Sequence, residues 1–240
     1  MKWLTTIESP TDSRNGVHIR HIKSGNDGDV CIAAVTERLL AGKESPLCID
    51  IGVDEGWWSF FVLDTNKTSR IMAFEPNPVS YAALLPYIAH DSRLQLHNVA
   101  ISDTDGILPF FVNGGTSHSR GAAAPDLCVP CVPIAPYIAG KDIELVKIDT
   151  EGHELQILKT LPFERIRSLI FEFTPYWYDS VEETVACLER IATFYPALYS
   201  LSRRGPPQMI LLTNIRQFVM KSLEHKYQSD ILCSRDSVIQ

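Results

Sequence analysis

The sequence contains no run of 18 uninterrupted apolar residues, so no transmembrane helix is expected. Its start, Met1-Lys2-Trp3-Leu4-Thr5-Thr6-Ile7-Glu8-Ser9-Pro10, is too short and too polar to be a secretory signal, and a cytoplasmic location is expected. There is no internal repeat, no low-complexity tract and no linker that divides the chain convincingly. Basic excess is lacking too. Lys and Arg number 22 against 29 Asp and Glu, net −7, which argues against a broad nucleic-acid footprint although a local basic patch could hide in the average. Cys128-Val-Pro-Cys131 has no second pair to complete a zinc site, and prolines flank it where a redox motif would start a helix. The six cysteines therefore read as structural thiols of a reduced compartment. What remains is ordinary in a useful way: 240 residues, 45% hydrophobic and 21% charged, enough to bury a core without staples.

Short apolar runs alternate with helical patterns. A helix is expected from Asp29 as N-cap through Leu40, with Gly42 as its C-terminal cap. Strands are expected at 47–52, 70–75, 94–101, 143–149 and 168–173, with a short extra one at 108–112. Asn77 and Pro78 open a helix through Ile88, and further helices surround Leu155–Leu161 and Val181–Ala192. Ala197–Leu201 and Met209–Thr213 flank a turn at 203–207, giving a hairpin. This order implies an α/β, Rossmann-like doubly wound sheet, seven-stranded and mostly parallel, with a C-terminal antiparallel hairpin. The expected layout is an N-terminal extension at 1–45 whose helix packs on the domain, a main domain at 46–215, and a helical tail at 216–240.

In such sheets a ligand binds beyond the carboxyl ends of the strands. The first loop there reads Asp50-Ile51-Gly52-Val53-Asp54-Glu55-Gly56. Its two glycines allow a tight turn and close approach of a ligand to the backbone. Glu75 ends the second strand, where a carboxylate can accept ribose hydroxyls. A dinucleotide's pyrophosphate wants bare N–H groups, and Asp54 and Glu55 would repel it. The sulfonium and ammonium of S-adenosylmethionine would be attracted instead. With no G-x-G-x-x-G pattern present, S-adenosylmethionine is the expected cofactor, held by Asp50, Gly52, Asp54, Gly56, Glu75, Pro76, Ala100 and Ile101.

The chain resembles the FkbM family of S-adenosylmethionine-dependent methyltransferases over about residues 46–175. The likeness rests on Asp50-Ile51-Gly52 through Gly56-Trp57-Trp58-Ser59, on Phe74-Glu75-Pro76-Asn77-Pro78, on Asn98 to Asp103, and on Lys147-Ile148-Asp149-Thr150-Glu151-Gly152-His153-Glu154, the family's K-I-D-x-E-G-x-E. Phe171-Glu172-Phe173 stands at a similar acidic strand end. The resemblance implies a class I methyltransferase fold and O-methylation of small molecules or sugars. Val53, Asp54, Glu55, Trp57, Trp58 and Ile134-Ala135 depart from the family's usual residues, which leaves the acceptor open.

Methyl transfer to a hydroxyl needs alignment and a place for the proton. Asp149 and Glu172 end neighbouring strands and could accept a proton or hold a hydroxyl, while His153 has the resting pKa suited to a base near neutrality. Each also has a plainer reading: acids in a first helical turn complement its dipole, and Thr150 can cap. Asp149 and Glu172 could also hold Mg²⁺, but the resemblance requires none and no metal is expected. Trp57, Trp58, Tyr176, Trp177 and Tyr178 either roof the substrate or pack in the core. Asn113–Gly121, polar and glycine-rich, is a lid or a plain loop. The competing functions are an RNA ribose 2′-O-methyltransferase, whose two lysines are not evident here, and a non-catalytic binding module on the same fold. The expected partner is a small-molecule or sugar hydroxyl, with no nucleic acid and no membrane.

Overall fold

The computed structural model describes residues 30–89, 91–112, 124–201 and 209–236. In chain order its elements are α1 (Val30–Leu40), β1 (Leu47–Ile51), α2 (Trp57–Thr65), β2 (Arg70–Phe74), α3 (Pro78–Ile88), β3 (Leu94–His97), β4 (Ala100–Ile101), β5 (Gly106–Phe110), β6 (Leu127–Val132) and α4 (Ala135–Ile138). There follow β7 (Ile143–Ile148), α5 (Glu154–Thr160), β8 (Ile166–Phe173), α6 (Val181–Ala192), β9 (Ala197–Leu201), β10 (Met209–Leu211), α7 (Ile215–Glu224) and β11 (Ser229–Ser234). No helix among the described residues is long and apolar enough to cross a membrane.

The main sheet runs β3-β2-β1-β7-β8-β11-β9, with β10 added at the edge. β3, β2, β1, β7 and β8 pair in parallel. β11 is antiparallel to both its neighbours, and β9 and β10 form the expected antiparallel hairpin. The seven-stranded, mostly parallel sheet is thus present, with one short strand more. Successive residues of a strand point to opposite faces. Ile49, Ile51, Phe74, Val146, Ile148, Phe171 and Phe173 pack on one face with α5 and α6. Cys48, Ile71, Ala73, Leu145 and Ile170 pack on the other, under α1 and α2.

Local chemistry sets the element ends. Asn77 accepts the Val79 N–H at 3.0 Å with Pro78 in the first turn, as the sequence predicts for α3. Gly42 takes φ +71° just past α1; Asp29 lies outside the described residues. So do the loop expected at 113–121 and the turn at 203–207.

Two expectations change. The run 94–101 is not one strand. The Asn98 amide donates to the Glu75 and Pro76 carbonyls at 2.8 and 3.2 Å, which ends β3 and sends Ala100 and Ile101 into a separate sheet, β4-β6-β5. Nor is 216–240 a helical tail. α7 is there, but Ser229–Ser234 forms β11, fully buried because strands flank it on both sides. The six cysteines are all free. Cys128 is exposed and Cys131 buried, on opposite faces of β6 as their three-residue spacing dictates.

Candidate active site

The carboxyl ends of β1, β2 and β7 are stitched together by backbone bonds. Gly52 N donates to Phe74 O at 3.0 Å and Asp149 N to Ile51 O at 2.9 Å. Gly52 has φ +86°, and a Cβ there would fall 1.8 Å from the Asp149 carbonyl oxygen, so only glycine fits. Asp54 also takes a left-handed φ of +47°, and Gly56 N closes the turn onto Val53 O at 2.8 Å.

Glu75 governs this turn. Its Oε2 accepts Asp54 N and its Oε1 accepts Asn77 N, both at 2.8 Å. Glu75 lines the cleft, and each of its oxygens has a second lone pair. Burial pushes its carboxyl up to about 7, opposed by those two N–H groups. Asp50 sits one layer deeper. It is 1% exposed, its Oδ2 accepts the Ser59 hydroxyl of α2 at 2.7 Å, and burial lifts it to about 6 against the pull of Lys147. Asp50 therefore anchors α2 and does not reach the cleft wall.

The cleft has a cavity volume of about 130 Å³. One wall is the turn Gly52–Asp54 with Trp57, Glu75 and Pro76; Ala100 and Ile101 form part of another, together with Leu108 and Phe110 of the small sheet. Lys147, Asp149, Glu151 and His153 complete it. Of the two tryptophans, Trp57 lies over Lys147, its ring centroid 5.9 Å from Nζ. Trp58 is 1% exposed and donates to Thr36 of α1 at 3.0 Å, so it belongs chiefly to the core. Tyr178 is also a structural residue, donating to Glu154 and to the Glu172 carbonyl.

The turn after β7 is shaped by Glu154. Its carboxylate accepts Thr150 N, Thr150 Oγ1 and Gly152 N, at 2.8 to 3.2 Å, holding Glu151 and Gly152 at φ +54° and +107°. The last acid of the K-I-D-x-E-G-x-E pattern is thus a buried clamp. Thr150 does not cap α5; His153 occupies the cap position without a side-chain bond. The ring of His153 is 2.9 Å, at Nε2, from the hydroxyl of Ser102, a buried residue just past β4. That contact joins the two sheets across the cleft.

Asp149, Glu151 and Glu172 present oxygens within 4.8 Å of one another. So much negative charge calls for a cation, and Lys147 Nζ stands 3.1 Å from Asp149 Oδ2. Glu172 lies 1% exposed, accepts from Gln228, and faces Asp230 across the β8–β11 pairing. Of the residues named from the sequence, Gly52, Asp54, Glu75, Pro76, Ala100, Ile101, Asp149 and His153 therefore line the cleft, whereas Asp50, Gly56 and Glu172 do not, Glu172 lying buried near Asp149. Lys147 and Leu108 also line the cleft and were not among the expected site residues. For Lys147 a signal existed: it stands two residues before Asp149 in an apolar strand, hence on the same face.

The glycine turn leaves backbone room for a ligand, and Asp54 and Glu75 favour one with positive charge. These features fit S-adenosylmethionine. Residues 50–194 match the methyltransferase FkbM domain. The architecture and this match define an S-adenosylmethionine-dependent class I methyltransferase. The chain belongs to the FkbM methyltransferase family. Among solved structures it is similar to precorrin-6y C5,15-methyltransferase from Geobacter metallireducens GS-15, at 12% identity over 85% of this chain and 88% of that one, TM-score 0.44. It is also similar to an rRNA methylase from Streptococcus thermophilus, at 12% identity, 97% and 100% coverage and TM-score 0.45. A human methyltransferase 10 domain containing protein gives 10% identity, 88% and 83% coverage and TM-score 0.48. The family match, and not these low scores, carries the assignment. No curated protein sequence matches the chain.

Proposed function

We propose that the chain transfers a methyl group to a hydroxyl of a small molecule or sugar, with Asp149 receiving or orienting that hydroxyl. The observation that carries this reading is the Asp149 carboxylate, 20% exposed at the strand end and backed by Lys147. When bound, S-adenosylmethionine supplies an electrophilic methyl group. Glu75 holds the ribose hydroxyls through its remaining lone pairs, and the Gly52–Gly56 turn takes the polar tail. Pro76, Ala100 and Ile101, with Leu108 and Phe110, bound an apolar slot suited to a flat base. Asp149 accepts the acceptor's hydroxyl proton, while His153 borders the same space and the buried Glu172 stands close to Asp149. Alignment is worth roughly 7 to 11 kcal/mol in favourable systems, and a positioned base about 10² to 10⁴-fold; both contribute here.

One observation favours a ribose 2′-hydroxyl of RNA as acceptor, namely a lysine against the strand-end aspartate. The acidic cleft walls (Asp54, Glu75, Asp149 and Glu151) weigh against it, because a phosphate backbone needs positive charge along its path. Labelled S-adenosylmethionine incubated with monosaccharides, hydroxylated metabolites and capped RNA decides. Label in the first two groups supports the proposal, and label confined to RNA overturns it.

A further inference from the structure

β7 ends in apolar residues except for Lys147, and an ammonium inside a sheet is costly unless its charge is answered. Lys147 is 3% exposed overall. It is the one Lys or Arg on the cleft wall among the described residues. Its side chain is 4% exposed where that of Asp149 is 20%. The carboxylate thus faces the cleft and the ammonium lies beneath it, covered by the Trp57 ring. The i, i+2 spacing sets both on one face of the strand. Asp50, from β1, is the Cα partner of Lys147.

The surrounding charge makes this cation consequential. Asp50 and Asp54 approach from β1 and its turn, Glu151 from the turn after β7, and Glu172 from β8. All are acids. With no ammonium, Asp149 would meet only like charge from these neighbours and would be turned away from them.

We propose that Lys147 is a positioning residue for methyl transfer, its ammonium fixing the Asp149 carboxylate in place and direction for the acceptor hydroxyl. This rests on the reading of Asp149 given above. Lys147 touches neither the transferred methyl nor the acceptor; it acts on turnover through Asp149. Its contribution should therefore vanish when Asp149 has no charge to hold, and should be largely recovered by another cation of similar reach.

The test uses the full chain with four variants: Lys147→Met, Lys147→Arg, Asp149→Asn, and Lys147→Met combined with Asp149→Asn. Three quantities are measured: turnover on whichever monosaccharide or hydroxylated metabolite takes up label, the Kd for S-adenosylhomocysteine, and the thermal midpoint. Lys147→Met is expected to lower turnover about 30-fold or more with Kd changed less than about threefold, and Lys147→Arg to recover at least about tenfold of the loss. In the Asp149→Asn background the Met substitution should change turnover less than about threefold, as coupled residues do. A tenfold weaker Kd in Lys147→Met would place the ammonium on the cofactor and overturn the proposal. Equal losses in both backgrounds would also overturn it. If Asp149→Asn alone keeps full turnover, the reading of Asp149 fails instead, and Lys147 then has no carboxylate to position.

Discussion

Glu75 and Asp54 are joined across 21 residues of sequence by a 2.8 Å bond from the Asp54 backbone N–H to the Glu75 carboxylate. The acid that is expected to hold the cofactor's ribose therefore also holds the glycine turn, and losing it removes an acceptor from two backbone N–H groups at once.

That arrangement has a pH consequence. The Glu75 carboxyl lies at about 7 in the folded chain, above an unfolded value of about 4.3. The folded state then binds the extra proton between these values, so stability from this group is full below about pH 4.3 and declines as pH rises to about 7. Asp50, at about 6, adds in the same direction. Glu75→Gln should flatten the slope without abolishing it. Urea unfolding of both proteins at pH 5 and pH 8 checks this; an unchanged difference would remove Glu75 as its source.

Gly52→Ala should lose cofactor binding and at least about 2 kcal/mol of stability. The added Cβ would sit 1.8 Å from the Asp149 carbonyl, at φ +86°, and neither backbone can yield cheaply. Calorimetry with S-adenosylhomocysteine and thermal unfolding give the two readings.

Asp149→Asn keeps the size of the side chain and removes its charge. Turnover should fall by roughly 10² or more, with S-adenosylhomocysteine affinity nearly unchanged. Single-turnover rates beside the binding constant measure both. Were Asp149 only a helix cap, Asn would serve almost as well and neither number would move.

The adjacent tryptophans should behave differently. Trp58→Phe strands the buried Thr36 hydroxyl and should cost about 1 to 3 kcal/mol of stability. Trp57→Phe keeps an aromatic ring over Lys147 and should cost less. Chemical denaturation of the two variants side by side tests the contrast; equal losses would contradict it.

Much of this was legible in the sequence for a physical reason: buried parallel strands are short and apolar, and they stop at acids and glycines that must reach the cleft. Leu47–Gly52 and Ile143–Asp149 announce themselves that way. Leu94–Ile101 misleads because its pattern is unbroken, and only the Asn98 amide, bonding two carbonyls distant in sequence, bends it. Ser229–Ser234 is polar at both ends, and its burial comes wholly from its neighbours. Glu154 resembles any acid of a first helical turn until its three donors are seen. Lys147 was visible, but its meaning depended on which side of the sheet its strand presents to the cleft.

The placement of β11 bears on how the chain is made. The strand latest in the sequence is seated between β8 and β9, and β9 reaches the rest of the sheet only through it. During synthesis the five parallel strands can assemble while β8 still shows an open edge, the kind of template on which chains pair wrongly. The β9–β10 hairpin has nowhere to dock until residues 229–234 leave the ribosome. Closure is therefore a long-range event that follows the parallel strands, and the half-built sheet is the form most exposed to wrong edge pairing.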